Sequence, residues 1–162
     1  MKKQFVVILI ALFALGTATV SAVDGKKLTA YVNPMIGTSG MGHTFPGACA
    51  PFGIVQLSPE TDTIPQNVDG RYQGKVYEYC AGYQHTDPTI VGFSHTHLSG
   101  TGHSDLGDVM LMPQTGSLRL NPGTATHPDA GYRSRFNHDT EKAAPGYYEV
   151  MLADEGVRAQ LT

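Results

Sequence analysis

The chain has 162 residues, with 19 glycines, 10 prolines, two cysteines and no tryptophan, a length that suits one ordinary domain. Its formal charge of −3 argues against nucleic acid as a partner, since that recognition runs on a basic surface. Two cysteines are too few to define a disulfide scaffold.

Lys2 and Lys3 precede an apolar run over 5–15, and Val20-Ser21-Ala22 supplies the small residues that signal peptidase accepts. Residues 1–22 therefore read as a signal peptide, and the protein as exported, to the periplasm or beyond. The run is shorter than the ~20 apolar residues a bilayer span needs, and no cysteine follows it to carry lipid, so no stable membrane anchor is expected. The remaining 23–162 carries nine basic and fourteen acidic side chains, a charge of −5. In an oxidising compartment Cys49 and Cys80 can pair, or each can be a small buried apolar residue.

No helical apolar period is sustained after the signal peptide, and glycine and proline recur too often for long helices. The expected strands are 52–57, 89–94, 108–112, 117–120, 132–137, 147–153 and 157–162, short and bounded by Gly, Pro, Asn or Asp. Their spacing predicts an all-β fold, an antiparallel β-sandwich over 23–162. The long links 33–50 and 58–79 exceed ordinary hairpin loops, and such loops usually carry function. Tyr148, Val150 and Leu152 alternate, Asp154-Glu155-Gly156 turns, and Val157, Ala159 and Leu161 start the return strand. A chain that stops inside a hairpin leaves an open edge, so a fragment of a larger protein is expected.

The densest chemistry lies in 92–113, GFSHTHLSGTGHSDLGDVMLMP. His95 and His97 flank one residue, so on an extended strand both rings share a face; with His103 or Asp105 they can hold zinc, or hydrogen-bond a polyol. Asp105 and Asp108 form a carboxylate pair of the kind used in glycoside hydrolysis or calcium binding, although Asp beside Gly also caps turns. The turn Gly42-His43-Thr44-Phe45-Pro46-Gly47 and the rings of Tyr77, Tyr79 and Tyr83 add faces that stack on sugars or fill a core.

Three blocks carry a family resemblance. Asn33-Pro34-Met35-Ile36-Gly37-Thr38 with GHTFPGACAPFGIVQLSPET over 42–61, then CAGYQHTDPTIVGFSHTHLSGTGHSDLGDVMLMP over 80–113, then EKAAPGYYEVMLADEGVRAQLT over 141–162 resemble family 92 glycoside hydrolases, bacterial exo-acting α-mannosidases. The resemblance implies an N-terminal β-sandwich packed on an (α/α)₆ barrel, the missing catalytic domain in cis, with the active site between them. It also implies Ca²⁺ as cofactor in the full-length enzyme, and an inverting reaction on mannose-containing glycans, mannoproteins or N-glycans, commonly α-1,2-linked. Inversion uses two carboxyl groups ~6.5–9.5 Å apart, which the family draws from the barrel. No catalytic residue and no metal ligand is therefore expected in this chain. By motif position, His43, His95, His97, Ser99, Thr101 and Asp105 are the candidates for the sandwich side of the sugar pocket, touching mannose hydroxyls or holding the loop that does. The absence of tryptophan departs from any relative that sets an indole against the sugar. The alternative is a stand-alone secreted carbohydrate-binding sandwich without catalysis.

Overall fold

A computed structural model describes residues 27–49, 52–62, 64–100 and 107–162. The signal peptide expected over 1–22 lies outside the described residues. Within them no helix is long and apolar enough to cross a membrane, and the helices are short 3₁₀ segments, at Leu28–Tyr31, Gly74–Tyr79, Pro128–Ala130 and His138–Thr140. The fold is all-β, and every strand pair is antiparallel.

Among the described residues nine strands follow in the order β1 (Ser58–Glu60), β2 (Asn67–Val68), β3 (Arg71–Tyr72), β4 (Thr89–Ile90), β5 (Gly92–Ser94), β6 (Ser134–Arg135), β7 (Lys142–Ala144), β8 (Tyr147–Leu152) and β9 (Val157–Leu161). They pair as β1-β5, β2-β3, β4-β6 and β7-β8-β9. The last sheet follows directly from its sequence. Period-2 alternation sends Tyr148, Val150 and Leu152 inward, all 0% exposed, and the register Tyr148↔Leu161, Val150↔Ala159 and Leu152↔Val157 brings the return strand onto the same face. That face meets Ala48, Ile90 and Phe93, with Leu57, Met112 and Phe136 at the margin. This is the packed centre of the sandwich, and each large apolar side chain buried there contributes about 1.5–3 kcal/mol.

Four expectations change. The strand placed at 52–57 begins instead at Ser58: Phe52 and Ile54 are exposed, Leu57 makes only a bridge to Ala48, and Ser58, Pro59 and Glu60 are all buried, two of the three polar. The run 89–94 divides at Val91, β4 pairing with β6 and β5 with β1. The run 108–112 shrinks to one bridge, Phe93↔Leu111, because Val109 takes φ +52 and ends the extended path. Residues 117–120 form no strand, since Gln114 bonds the backbone of Arg119 at both N and O and folds the segment into a loop. Two hairpins went unanticipated, β2-β3 about Asp69-Gly70, both with positive φ as a type I′ turn requires, and β7-β8 about Pro145-Gly146. Cys49 is exposed and Cys80 buried, both as free thiols, so the bridge is not formed.

The outer face of β7-β8-β9 carries a charge network. Glu149 is covered by Lys142, Arg158, Tyr147 and Gln160, at 3.0, 3.0, 2.7 and 2.6 Å. Hydrogen bonds from Tyr147, Gln160 and Lys142 hold its carboxyl down to about 2, from an ordinary 4.5. A depressed folded-state value stabilises the fold above pH ~4.5, and that stabilisation disappears as pH falls toward 2. Glu149→Gln is expected to flatten the acid limb of stability between those limits, read from urea midpoints across pH; an unchanged limb would refute it.

Candidate functional site

The site is built where β1 and β5 pair. The register Ser58↔Ser94, Pro59↔Phe93 and Glu60↔Gly92 puts Ser58, Ser94 and Glu60 on the face opposite the apolar Pro59 and Phe93. Ser94 Oγ donates to Glu60 Oε1, and glycine is required behind the carboxylate. At Gly82, with φ +77, an added Cβ would stand 2.2 Å from Glu60 Oε2.

His97, 3% exposed, closes this group. Its Nε2 lies 2.9 Å from both Glu60 Oε1 and Ser94 Oγ, and its Nδ1 lies 2.6 Å from the Gln56 carbonyl oxygen. Its backbone N–H donates to Gln56 Oε1 at 3.2 Å, and Phe45 packs on the ring at 5.1 Å. Glu60 and Ser94 converge on the same nitrogen, whereas a nucleophilic triad sets the acid on the other one. The adjoining half-open pocket, lined by Glu60, Tyr79, Cys80, Gly82, Thr96, His97 and Gly107, offers only about 30 Å³. That is room for roughly one water, not for a sugar. Burial pushes the Cys80 thiol up, which keeps it protonated at neutral pH and unreactive.

Beyond β5 the two ends of the loop are clamped together. Thr96 Oγ1 accepts from the N–H groups of Gly107 and Asp108, the Thr96 carbonyl accepts from Gly107, and His95 Nδ1 lies 2.5 Å from Val109 O. The rings of His95 and His97 thus serve different partners, so the described residues do not assemble the His-x-His metal pair. Thr101, His103 and Asp105 lie outside the described residues. Ser99 is exposed, and next to it Gly100 N–H donates to the His43 carbonyl at 2.7 Å.

His43 is buried, holds φ +50 and meets Tyr77 edge-on at 4.8 Å. Its Nε2 is buried without a hydrogen-bond partner among the described residues, an exception to the rule that buried polar groups are paired. The structure therefore joins His43 to Tyr77 and, through the backbone of Gly100, to the segment that follows Ser99, while His97, Ser94, Glu60 and Gln56 form a hydrogen-bonded group of their own. Glu60 and Gln56 were not singled out in the sequence, because a buried acid and its amide neighbour on an edge strand show no spacing pattern.

Calcium takes six to eight oxygen ligands. Among the described residues the one grouping of three or more His, Cys, Asp or Glu that can close on an ion is His85, His138 and Glu141, which is nitrogen-rich and does not suit Ca²⁺.

Residues 31–162 match the Glycosyl hydrolase family 92 N-terminal domain. Among solved structures, the family GH92 α-mannosidase BT3965 from Bacteroides thetaiotaomicron, in complex with mannoimidazole, is 50% identical with a TM-score of 0.74, covering 85% of this chain and 17% of that one. The GH92 family glycosyl hydrolase ccman5 is 28% identical with a TM-score of 0.58, over 83% of this chain and 16% of that one. An uncharacterized secreted glycosidase of Arthroderma benhamiae is 31% identical over 134 residues, 82% of this chain and 15% of its own length. The chain thus spans about a sixth of the proteins it resembles.

Proposed function

Because the chain belongs to glycosyl hydrolase family 92, through that family's N-terminal domain, we propose that it forms the sandwich half of an exported α-mannosidase. The observation that carries this reading is 50% identity, across 85% of the chain, to an α-mannosidase whose structure holds mannoimidazole. The substrate proposed is a terminal α-linked mannose of a mannoprotein or N-glycan, commonly α-1,2-linked. The acid and base of an inverting hydrolysis, and the Ca²⁺ shell, belong in this reading to a C-terminal domain.

The roles within this chain divide by how each side chain is held. His97, locked to Gln56, Glu60 and Ser94, is a positioning residue that fixes the loop base. His43, His95 and Ser99, with Thr101 and Asp105 of the same loop, supply the side that meets sugar hydroxyls. His43 Nε2, without a hydrogen-bond partner among the described residues, keeps its capacity to donate or accept. Exposed Leu98, Val109, Leu111, Leu118 and Leu120 form the surface the second domain covers.

The test is a chimera in which this chain replaces the N-terminal domain of a full-length relative. The chain alone is expected to leave mannobiose intact with or without Ca²⁺, and the chimera to hydrolyse it. Turnover by the isolated chain, or a folded chimera without turnover, overturns the reading. His43→Ala in the chimera is expected to raise KM, while the fold persists.

A further inference from the structure

A second cluster lies away from the loop and has no part in the sugar pocket. Glu141 ends the 3₁₀ turn His138–Thr140, whose backbone its own N–H closes onto His138 O. Residues three apart eclipse on such a turn, which stacks His138 over Glu141 with Nδ1 2.7 Å from Oε2. The ring of His85 lies over that of His138, centroids 4.0 Å apart and 34° from parallel, and Phe136 holds the second ring edge-on at 4.9 Å. The Glu141 side chain is only 4% exposed, whereas that of His138 is 39% exposed.

We propose that His85, His138 and Glu141 bind one transition-metal dication of the zinc class. The donor set of two imidazoles and one carboxylate, with a fourth position open to water, is one that Zn²⁺ takes and that Mg²⁺ and Ca²⁺ do not favour. The three ligand atoms lie within 4.8 Å of one another. Ligands at ~2.0–2.2 Å from zinc stand no more than ~4.4 Å apart, so a small rotation of the exposed rings closes the site.

The surroundings favour a cation in two further ways. Tyr83 donates to Glu141 at 2.8 Å and Tyr148 at 2.5 Å, so two phenols orient the carboxylate as outer partners orient metal ligands. Burial raises both phenols, and the Glu141 charge raises them further, which keeps them protonated as donors. No lysine or arginine among the described residues bonds Glu141, and Asp87 adds a second negative charge nearby through Tyr79 and Tyr83. The site is thus a buried carboxylate without a permanent counter-charge, under two stacked imidazoles at the surface.

The experiment is calorimetric titration of the chelator-stripped full chain with Zn²⁺, repeated with Co²⁺ to read its visible absorption. One equivalent is expected, weakened roughly tenfold or more in both His85→Ala and His138→Ala. Affinity is expected to persist in Cys49→Ser and in His95→Ala, which separates this site from a surface thiol and from the loop histidines. His138→Gln keeps the ring's volume in part, and a Zn²⁺-dependent rise in melting temperature present in the parent and lost there supports the assignment even if an alanine variant folds poorly. Absence of binding by the parent chain, or alanine variants that bind Zn²⁺ as tightly as the parent, overturns it. The α-mannosidase assignment stands or falls separately, on mannobiose turnover.

Discussion

His97→Ala is expected to remove about 3–5 kcal/mol of folding stability, the cost of emptying a buried ring position and of leaving the Glu60 carboxyl short of a hydrogen-bond partner. Glu60 sits inside the domain with two side-chain partners among the described residues, the His97 ring and the Ser94 hydroxyl. Without the ring the carboxylate keeps one donor in a setting with room for roughly one water, and its lost hydration is not restored. Domains of this size hold ~5–15 kcal/mol in all, so the variant should lie near the edge of folding. Ser94→Ala removes a single hydroxyl donor and should cost about 1–3 kcal/mol. Urea unfolding of both variants measures the difference. The double replacement Glu60→Gln with His97→Ala should recover part of the loss, because no unpaired charge remains. A loss under ~1 kcal/mol for His97→Ala would show that water reaches the pair, and would remove the basis for its role in holding the loop.

Tyr148→Ala carries the second large effect, about 3–5 kcal/mol for emptying a fully buried aromatic position. Tyr148 is 0% exposed, packs with Val150, Leu152, Leu161, Ile90 and Phe93, and donates its hydroxyl to Glu141. Packing and polar contributions separate in Tyr148→Phe, which leaves the ring and Tyr83 in place and should cost only about 1–1.5 kcal/mol. Matching urea midpoints for the two variants would mean that the ring does not carry the core.

The part of the fold legible in the sequence is the part held together by local alternation. The Tyr148, Val150, Leu152 pattern and the Val157 to Leu161 return needed only a period of two and a turn signal, and both strands stand where that pattern puts them. The first half resists the same reading, because its strands bury polar residues. Ser58-Pro59-Glu60 lies inside while Phe52 and Ile54 lie outside, so a hydrophobicity argument shifts the strand by several residues. β7, Lys-Ala-Ala, has little intrinsic strand preference and exists through pairing with β8. Composition singles out residues 92–113 as a concentration of polar groups, but it does not show the long-range partners these residues meet. Glu60 and His97 stand 37 positions apart and Tyr83 and Glu141 58, and only the folded chain brings them together.

The clamp at the loop base, where Thr96 joins Gly107 and Asp108 and His95 joins Val109, has a consequence for how such a domain diversifies. Anchored at both ends, the segment between Ser99 and Gly107 can change in length or composition without disturbing β5 or the packed sheet. Doubling a closed loop costs only ~0.6 kcal/mol of extra closure entropy, little beside the core's contribution. Selection can therefore exchange that segment while the buried Glu60, Ser94 and His97 stay fixed, separating what evolves from what folds.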